Sequence, residues 1–357
     1  MSFLGWAAVL GKLLAGENLD RDQARWAMRE VMSGNATPGQ LGAFMLALRS
    51  KGETVAELAG MVDVMLENTL ALDTGSDAVD IVGTGGDLAG TVNISSMAAI
   101  VVAGAGIPVL KHGSRSASGK TGSSEMLESL GIRLDLGSDQ VAAVFREAGI
   151  TFFFAPVFHP AMRHVGPVRK ELGVPTTFNF LGPLANPAQP IATALGVANR
   201  SIAPLMAAEL AQRNRDGLVF RSTSGLDELT TADPVEIWQV RQGEVDQSTI
   251  DFAELGLDRV ANEDLVGGDA RHNAQVALRL MNEPLTSDIR GIREVTLLNA
   301  AAAIAAYQGA GQEGQLPSNQ GELSARIMSA YERATEVLDS GAAAAKLQQW
   351  IAASQQA

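Results

Sequence analysis

The most informative absence in this 357-residue chain is cysteine, of which there is none. Without cysteine the protein can have no disulfide framework, no thiolate zinc site and no cysteine nucleophile. Aromatic residues are also scarce, at 5% of the sequence, whereas alanine and glycine are abundant. This composition predicts helices that pack closely through small side chains.

Positive charge is in short supply as well. The 27 Lys and Arg residues face 40 Asp and Glu residues, which gives a formal net charge of −13. Sequence-independent binding to DNA or RNA needs a basic face that displaces counterions, so this balance argues against a nucleic-acid partner. A small anionic substrate is still compatible, because a local cluster of donors can act against the overall sign.

The sequence has no apolar run of the length that spans a bilayer. The longest run, residues 97–110, contains three glycine or proline breaks. The first twenty residues lack the basic region and the cleavage site of a signal peptide, and their pattern predicts an amphipathic helix instead. We therefore expect a cytoplasmic protein that does not contact a membrane.

Helical patterns occupy the first part of the chain. Asp20 is placed to cap one helix, Thr37 precedes a proline at the start of a second, and Thr54 with Glu57 forms a capping box for a third. These signals predict a small helical domain over residues 1–72.

Short apolar runs then alternate with helical stretches. Strands are predicted over residues 79–82, 108–111, 150–154, 194–197 and 217–220. Helices are predicted over residues 94–103, 124–130, 139–148, 161–172 and 202–212, and again in the tail from residue 269. Such alternation is typical of a mainly parallel central sheet covered by helices. The predicted fold class is therefore α/β, with residues 73–357 as one large domain and a segment near residues 160–190 expected to pack with the helical domain.

A glycine-rich turn follows the first predicted strand. Residues 83–87 read GTGGD, and Asn93 or Ser95 can cap the helix that comes next. Glycines let backbone N–H groups approach a ligand closely, and the N-terminus of a helix favours an anion. The turn matches neither the dinucleotide-binding pattern nor a Walker loop. On its own it is either an anion cradle or an ordinary tight β–α turn.

A second loop shifts this balance toward anion binding. Residues 111–123, KHGSRSASGKTGS, combine two lysines, an arginine, a histidine and five hydroxyl side chains directly after a predicted strand. In an acidic chain this concentration predicts a phosphate-binding loop, and its glycines suit a loop that closes over substrate and excludes water. The alternative is a solvated polar loop.

Two later segments carry charged residues of interest. Arg163, Val165 and Arg169 cannot share one helix face, so at least one arginine is expected to point inward; the alternative is a solvent-facing basic helix. Asp227 and Glu228 follow a predicted strand and have hydroxyl side chains nearby, a set that suits Mg²⁺. An isolated Asp-Glu pair is usually a surface feature, so this pair counts only together with the other motifs. Residues 179–187, between these segments, predict a rigid loop without chemistry.

Taken together, these motifs resemble the anthranilate phosphoribosyltransferases of tryptophan biosynthesis. The resemblance covers nearly the whole chain in fixed order, through GTGGD, NISS, KHGSRSASGKTGS, FAPVFHPAMRHVGPVRKELGVPTTFN, LGPLANP, GLDELT and GGDARHNA. That family transfers phosphoribose from 5-phosphoribosyl-1-diphosphate (PRPP) to the amine of anthranilate and releases pyrophosphate. The resemblance implies this activity, two Mg²⁺ ions per subunit and a homodimer joined through the helical domain.

The resemblance also implies which residues bind each substrate. Those expected to contact PRPP are Gly83, Gly86, Asp87, Thr91, Asn93, Ile94, Ser95, Ser96, Lys111, His112, Gly113, Ser114, Arg115, Ser116, Ala117, Ser118, Gly119 and Ser123. Those expected to contact anthranilate are Gly83, Ser114 and Arg169, of which Arg169 pairs with the carboxylate. Ser95 is the expected ligand of one Mg²⁺, and Asp227 and Glu228 of the other. No residue is assigned as a catalytic base; His112 is the nearest candidate for handling a proton and is expected to line the substrate.

Two positions depart from the family pattern. Where the family loop reads K-H-G-N-R, this chain has Ser114 in place of the asparagine. Where the family motif reads N-I-S-T, this chain has Ser96 in place of the threonine. Ser114 keeps a donor and an acceptor but has a shorter reach. The change at Ser114 is expected to affect which aromatic acceptor binds, or how tightly it binds, and to leave the binding of PRPP unchanged.

Three alternatives follow from the same residues. A PRPP-dependent transferase for a modified aromatic acid is compatible with Ser114. A pyrimidine nucleoside phosphorylase would use phosphate and would carry K-H-S-T-G-G in the loop that begins at Lys111. A nucleic-acid-binding homologue would lack the intact glycine turn and would need a basic groove.

Overall fold

The computed structural model describes residues 5–70, 72–115, 121–310 and 320–357. Within these ranges the α-helices are α1 Trp6–Leu14, α2 Arg21–Met32, α3 Pro38–Lys51, α4 Val55–Glu67, α5 Ile94–Gly104, α6 Ser123–Ser129, α7 Ser138–Ala148, α8 Ala155–Phe158, α9 Gly166–Leu172, α10 Ala203–Gln212, α11 Ala270–Asn282, α12 Arg290–Gly309, α13 Gln320–Asp339 and α14 Ala342–Gln356. The strands are β1 Val79–Gly83, β2 Val109–Gly113, β3 Ile150–Phe154, β4 Ala192–Gly196, β5 Asp216–Ser222, β6 Val235–Arg241 and β7 Glu244–Ile250.

In the helical bundle α1–α4, the helices α2, α3 and α4 begin at the capping residues that the sequence predicts. The side chains of Asp20, Thr37 and Thr54 each accept a hydrogen bond from the backbone N–H three residues on. In each of these helices the side chain of the third residue accepts a hydrogen bond from the backbone N–H of the capping residue. Two otherwise unpaired N–H donors are thus satisfied at the start of each helix. Gly52 closes α3 with a φ of 90°, a conformation that favours glycine.

The described strands form one sheet in the order β3-β2-β1-β4-β5-β6-β7. The five strands from β3 to β5 run parallel, and β6 and β7 continue the sheet antiparallel to β5. A helical bundle followed by a mainly parallel, helix-covered sheet confirms the predicted α/β fold class.

The strands β6 and β7 are absent from the sequence prediction. Gln242 and Gly243 join them with φ values of 48° and 82°, as a two-residue hairpin turn requires. β7 lies at the edge of the sheet and is exposed over most of its length, so it carries few of the apolar residues on which strand prediction depends.

The predicted single helix over residues 161–172 is wrong in its first half. The chain forms a 3-10 turn over Pro160–His164, and α9 begins only at Gly166. Pro167 lies in the first turn of α9, where its missing N–H is tolerated. Inside one continuous helix the same proline would remove a hydrogen bond and clash with the preceding turn.

Two hydrophobic cores cover the two faces of the sheet. One contains α5, α12 and the C-terminal helices. The other is continuous from α10 and the sheet into the helical bundle, and Val165, Val168 and Phe178 belong to it. The segment around residues 160–180 is therefore packed between the bundle and the sheet. None of the helices in the described ranges has both the length and the apolar character needed to cross a membrane.

Candidate active site

A cavity of about 960 Å³ lies at the carboxyl ends of β1 and β2. In parallel sheets ligands bind at this edge, because the loops that leave the strands converge there. The cavity is lined by the loops after β1, β2 and β5, together with residues from the segment 155–183. Met65 of the helical bundle also contributes to the wall.

Most of the predicted site residues share this cavity. Its wall contains Gly83, Gly86, Asp87, Thr91, Asn93, Ile94, Ser95, Lys111, His112, Gly113, Ser114, Arg115, Ser123, Arg169, Asp227 and Glu228. Ser96 is not part of the wall, because its side chain is fully buried within α5. The predicted contacts of Ser116, Ala117, Ser118 and Gly119 lie outside the described residues. The individual ligand roles stay predictions.

The glycine turn after β1 is shaped by its contact with Asp227. Gly83 ends β1 beside Gly196, which ends β4. A Cβ on Gly83 would lie 2.4 Å from the Asp227 Oδ2, and one on Gly196 would lie 1.6 Å from the Asp227 backbone oxygen. The Gly85 N–H then donates to Asp227 Oδ2 at 2.6 Å. Side chains are thus excluded from both strand ends, and the sequence prediction does not include the second of these glycines.

Asp227 and Glu228 form a buried acidic pair, 7% and 8% exposed. Burial, with the charge of Asp87 added, raises the pKa of Asp227 to about 7. Burial and the neighbouring Asp227 charge raise the pKa of Glu228 well above its ordinary value. Both shifts mean that the neighbouring groups do not fully compensate the negative charges of the two carboxylates.

The acidic pair fits a hard divalent cation. Among the described residues no group of three or more His, Asp or Glu side chains is close enough to hold a metal ion by itself. Mg²⁺ is usually bound through one or two carboxylates, with waters and substrate phosphates completing the shell. Two adjacent carboxylates in the wall of a large cavity match that donor set.

Asn299 of α12 holds the backbone directly after this pair. Its side chain accepts from the Leu229 N–H at 3.0 Å and donates to the Leu229 carbonyl at 2.9 Å and to the Val295 carbonyl at 2.8 Å. Asn299 is fully buried in an otherwise alanine-rich helix. The sequence prediction lacks this residue, although a lone amide within an alanine run was the available signal.

Lys111 forms part of the cavity floor. Its ammonium group donates to the Ile81 carbonyl and, at 3.3 Å, to the Ser95 hydroxyl. Burial lowers the pKa of Lys111, and the charges of Asp80 and Glu228 oppose this effect. The lysine is 1% exposed, so its orientation is fixed by contacts with β1 and α5.

The loop over residues 179–187 is fastened to the site through Asp80 and Asn186. Asp80 accepts from the His112 N–H at 3.2 Å and from the Asn186 amide at 2.8 Å, and Asn186 also donates to the Leu110 carbonyl at 2.7 Å. Burial raises the pKa of Asp80 to about 6. Because Asn179, Gly182 and Pro183 line the cavity, the interpretation of this loop as a rigid connection alone was incomplete.

His112 presents an unused lone pair. Its Nδ1 lies 3.1 Å from the Gly182 carbonyl, which can only accept, so Nδ1 donates and Nε2 carries the lone pair. The Nε2 is buried and has no partner among the described residues. The His159 ring packs edge-on at 5.1 Å. Burial lowers the pKa of His112 well below 6.5 and that of His159 to about 4, so both rings are neutral near pH 7.

Arg163 and Arg169 both line the cavity that also contains the acidic pair. Burial lowers the pKa of Arg169, and no described residue forms an ion pair or side-chain hydrogen bond with its guanidinium. Arg115, by contrast, stacks over Phe154 at 5.5 Å and pairs with Glu128 at 3.3 Å. We call the part of the cavity around the glycine turn and Lys111 the anion half, and the part around His112 and Arg169 the acceptor half. What each part binds stays a prediction.

The raised pKa values predict that the acidic pair lowers the stability of the folded protein, and lowers it more at high pH than at low pH. The folded protein retains a proton on Asp227 up to about pH 7, whereas the unfolded chain releases it near 3.8. Folding stability is therefore lost as pH rises between these values, and the raised pKa of Glu228 acts in the same direction. We expect the double variant Asp227→Asn, Glu228→Gln to melt above the parent by about 3–6 °C at pH 8, with a smaller gain at pH 5. Differential scanning calorimetry without Mg²⁺ measures both.

Glu244 and Asp246 provide the matched control, because they are exposed on β7. Neutralising this pair should give the same small change in melting temperature at both pH values. A gain for the Asp227, Glu228 variant that does not grow with pH would contradict the prediction.

Comparison with known proteins places the chain in a family. The model described as "Glycosyl transferase family, a/b domain" matches residues 75–344, and the one described as "Glycosyl transferase family, helical bundle domain" matches residues 7–69. The anthranilate phosphoribosyltransferase of Arthrobacter sp. (strain FB24) is 49% identical over 347 residues, which cover 97% of this chain and 95% of the relative.

Solved structures agree with this placement. The anthranilate phosphoribosyltransferase of Thermus thermophilus has a TM-score of 0.85 at 36% identity, covering 97% of this chain and 99% of that one. The Saccharomyces cerevisiae enzyme, solved in complex with PRPP and Mg, has a TM-score of 0.85 over 99% of this chain and 98% of that one. At 24% identity the yeast structure supports the fold alone. The chain belongs to the anthranilate phosphoribosyltransferases of the glycosyl transferase family.

Proposed function

We propose that the protein transfers the phosphoribosyl group of PRPP to the amine of anthranilate and releases pyrophosphate, as a step of tryptophan biosynthesis. The observation that carries the proposal is that one cavity is lined both by a buried acidic pair beside the glycine turn and by Arg169, whose guanidinium has no ion-pair partner among the described residues. Family membership supports the same assignment.

The anion half is suited to the diphosphate and ribose phosphate of PRPP. The N-terminus of α5 faces the cavity through Asn93 and Ser95, and its partial positive charge favours an anion. Lys111 adds a fixed positive charge beneath these residues. When the C1–diphosphate bond breaks, preorganised donors of this kind stabilise the charge that develops on the leaving group.

Asp227 and Glu228 are the residues that would hold one Mg²⁺, and Ser95 would contribute to a second. Bound Mg²⁺ would neutralise the diphosphate and so make it a better leaving group. The yeast relative has been solved with PRPP and Mg together, which supports Mg²⁺ as the metal. Two ions per subunit is part of the proposal.

The acceptor half is suited to a planar aromatic acid with a neighbouring amine. Arg169 offers an unpaired, half-buried guanidinium to the carboxylate. The lone pair on His112 Nε2 can accept a hydrogen bond from the amine N–H. Because an aromatic amine needs little deprotonation before it attacks C1, positioning of the two substrates accounts for most of the catalysis. Ser114 lines the cavity but leaves the choice among substituted anthranilates open.

The apolar surface of the bundle supports a homodimer. Leu14 at the end of α1 is 80% exposed and Leu46 of α3 is 43% exposed, with Trp6 and Leu10 half-buried nearby. Apolar side chains grouped on the outside of a bundle favour association with a second copy. The cytoplasmic location stays a prediction from the sequence.

Loss of anthranilate fluorescence in the presence of PRPP and Mg²⁺ tests the proposed reaction. Within this assay, Arg169→Ala should raise the KM for anthranilate by about 30-fold or more, because a half-buried, charged hydrogen-bond partner is lost. The KM for PRPP should change less than twofold. Lys170→Ala, which alters an exposed neighbour, is the control. Equal effects of Arg169→Ala on both substrates would refute its role, and absence of turnover in the parent would refute the reaction.

Asn299→Ala tests how the acidic pair is held. Without the amide, the backbone after Glu228 loses its anchor, and the Mg²⁺ concentration for half-maximal turnover should rise by about 10–100-fold. Thr296→Val is the matched control, because the Thr296 hydroxyl is buried one turn earlier on α12 and has no partner among the described residues. An unchanged Mg²⁺ dependence in Asn299→Ala would show that the pair keeps its position unaided.

The dimer is tested by Leu14→Asp combined with Leu46→Asp. Two charges within the proposed interface should shift the parent dimer to a monomer in light scattering coupled to size-exclusion chromatography. Leu285→Asp is the control, since Leu285 is 47% exposed and lies outside the bundle. A dimer that persists in the double variant would place the interface elsewhere.

A further inference from the structure

Glu53 is a buried charged residue outside the cavity. It lies in the corner between two helices, where Gly52 closes α3 and Thr54 caps α4. Its side chain is only 1% exposed. Because both neighbours are fixed by helix caps, the backbone of this corner has little freedom to move.

The Glu53 carboxylate connects the bundle to a distant part of the chain. Its Oε2 accepts from the Arg49 guanidinium at 3.2 Å, one turn earlier on α3. Its Oε1 accepts from the Thr177 hydroxyl at 2.7 Å, across 124 residues of sequence. Thr177 is fully buried, so this bond is shielded from water. Hydrogen bonds to an ionised acceptor in such surroundings are among the strong ones.

Thr177 begins the short turn that forms one wall of the acceptor half. The 3-10 turn covers Thr177–Asn179, and Phe178 and Asn179 line the cavity. The Thr176 N–H donates to the Asn179 Oδ1 at 3.0 Å. Since its oxygen is occupied, the Asn179 side chain has only its NH₂ group to offer a ligand.

We propose that Glu53 is a positioning residue for the aromatic acceptor. Through the Thr177 hydroxyl it fixes the turn that carries Phe178 and Asn179, and so sets how well this wall fits a planar aromatic acid. The proposal rests on the proposed function, of which it names one more determinant. Glu53 does not line the cavity and does not touch substrate.

Removal of the Glu53 carboxylate leaves the Thr177 hydroxyl without its hydrogen-bond acceptor. A buried hydroxyl with no acceptor is costly, so Thr177 must rotate or shift to find another partner. Any such shift moves Phe178, which is buried, and Asn179 together, because they follow in the same turn. Misplacement of a substrate-positioning wall reduces productive binding even when the reacting groups are intact. Among the described residues no hydrogen bond joins Thr177–Asn179 directly to β1, β2 or α5, and the contacts of Gly182 with His112 and of Asn186 with Asp80 stay in place. The anion half is therefore expected to keep its geometry.

The kinetic experiment compares Glu53→Ala, Thr177→Val and the double variant. Each single variant should raise the KM for anthranilate by about tenfold and leave the KM for PRPP within about twofold of the parent. The double variant should be no worse than either single one, because both remove the same bond. Glu53→Gln keeps a carbonyl oxygen for the Thr177 hydroxyl, so it should restore an anchor and lie close to the parent.

Glu57→Gln is the matched control for general loosening of the bundle. Glu57 is also a fully buried glutamate, but its bonds to Lys51, Thr54 and the Leu19 N–H stay within the bundle. It should lower the melting temperature without changing the ratio of the two KM values. An equal rise of both KM values in Glu53→Ala, or the same selective rise in Glu57→Gln, would overturn the inference.

Hydrogen exchange separates failure of this inference from failure of the proposed reaction. If the parent turns over no anthranilate, the proposed function fails, and the amide protons of residues 176–180 still report on the anchor. They should exchange faster in Glu53→Ala and Thr177→Val than in Glu57→Gln. Equal exchange in the three variants would show that Glu53 does not hold the turn.

Discussion

The close approach of Asp227 to the ends of two neighbouring strands is the constraint on which this site depends. Gly83 and Gly196 end β1 and β4 side by side, and neither could carry a Cβ without colliding with Asp227. The space that the glycines leave brings a carboxylate against the glycine turn, where the Gly85 N–H holds it. Asn299 then fixes the backbone on the other side of the pair from α12. The acidic pair is thus held by the sheet and by a covering helix at once.

This arrangement buries two carboxylates whose charged forms are not fully compensated by the neighbouring residues. Burial raises the pKa of both Asp227 and Glu228, and Lys111 compensates only part of the charge on Glu228. A fold that tolerates such a pair gives up stability for a site prepared to receive a cation and a polyanion together. The neutral His112 follows the same principle, since its buried lone pair has no partner among the described residues.

The two halves of the cavity depend on different parts of the molecule. The anion half is built from the parallel strands and the N-terminus of α5, which form one rigid layer. The acceptor half is built from the segment around residues 160–183, which packs between the sheet and the helical bundle. Met65 lines the cavity directly, and Glu53 contacts its wall through Thr177. The bundle, in addition to its proposed role in dimerisation, therefore contributes to the wall of the cavity.

The sequence by itself determined the features that depend on residues close to one another along the chain. Capping at Asp20 and the five parallel strands follow from local patterns. The glycine turn and the Lys111 loop predict an anion site and are among the motifs that indicate the family. It failed where Pro167 interrupts a helical pattern, and it did not predict the polar edge strand β7. Only the tertiary structure decided the rest. The partner of Asn299 is 70 residues away and that of Glu53 is 124, and no local pattern encodes a contact made by folding distant segments together.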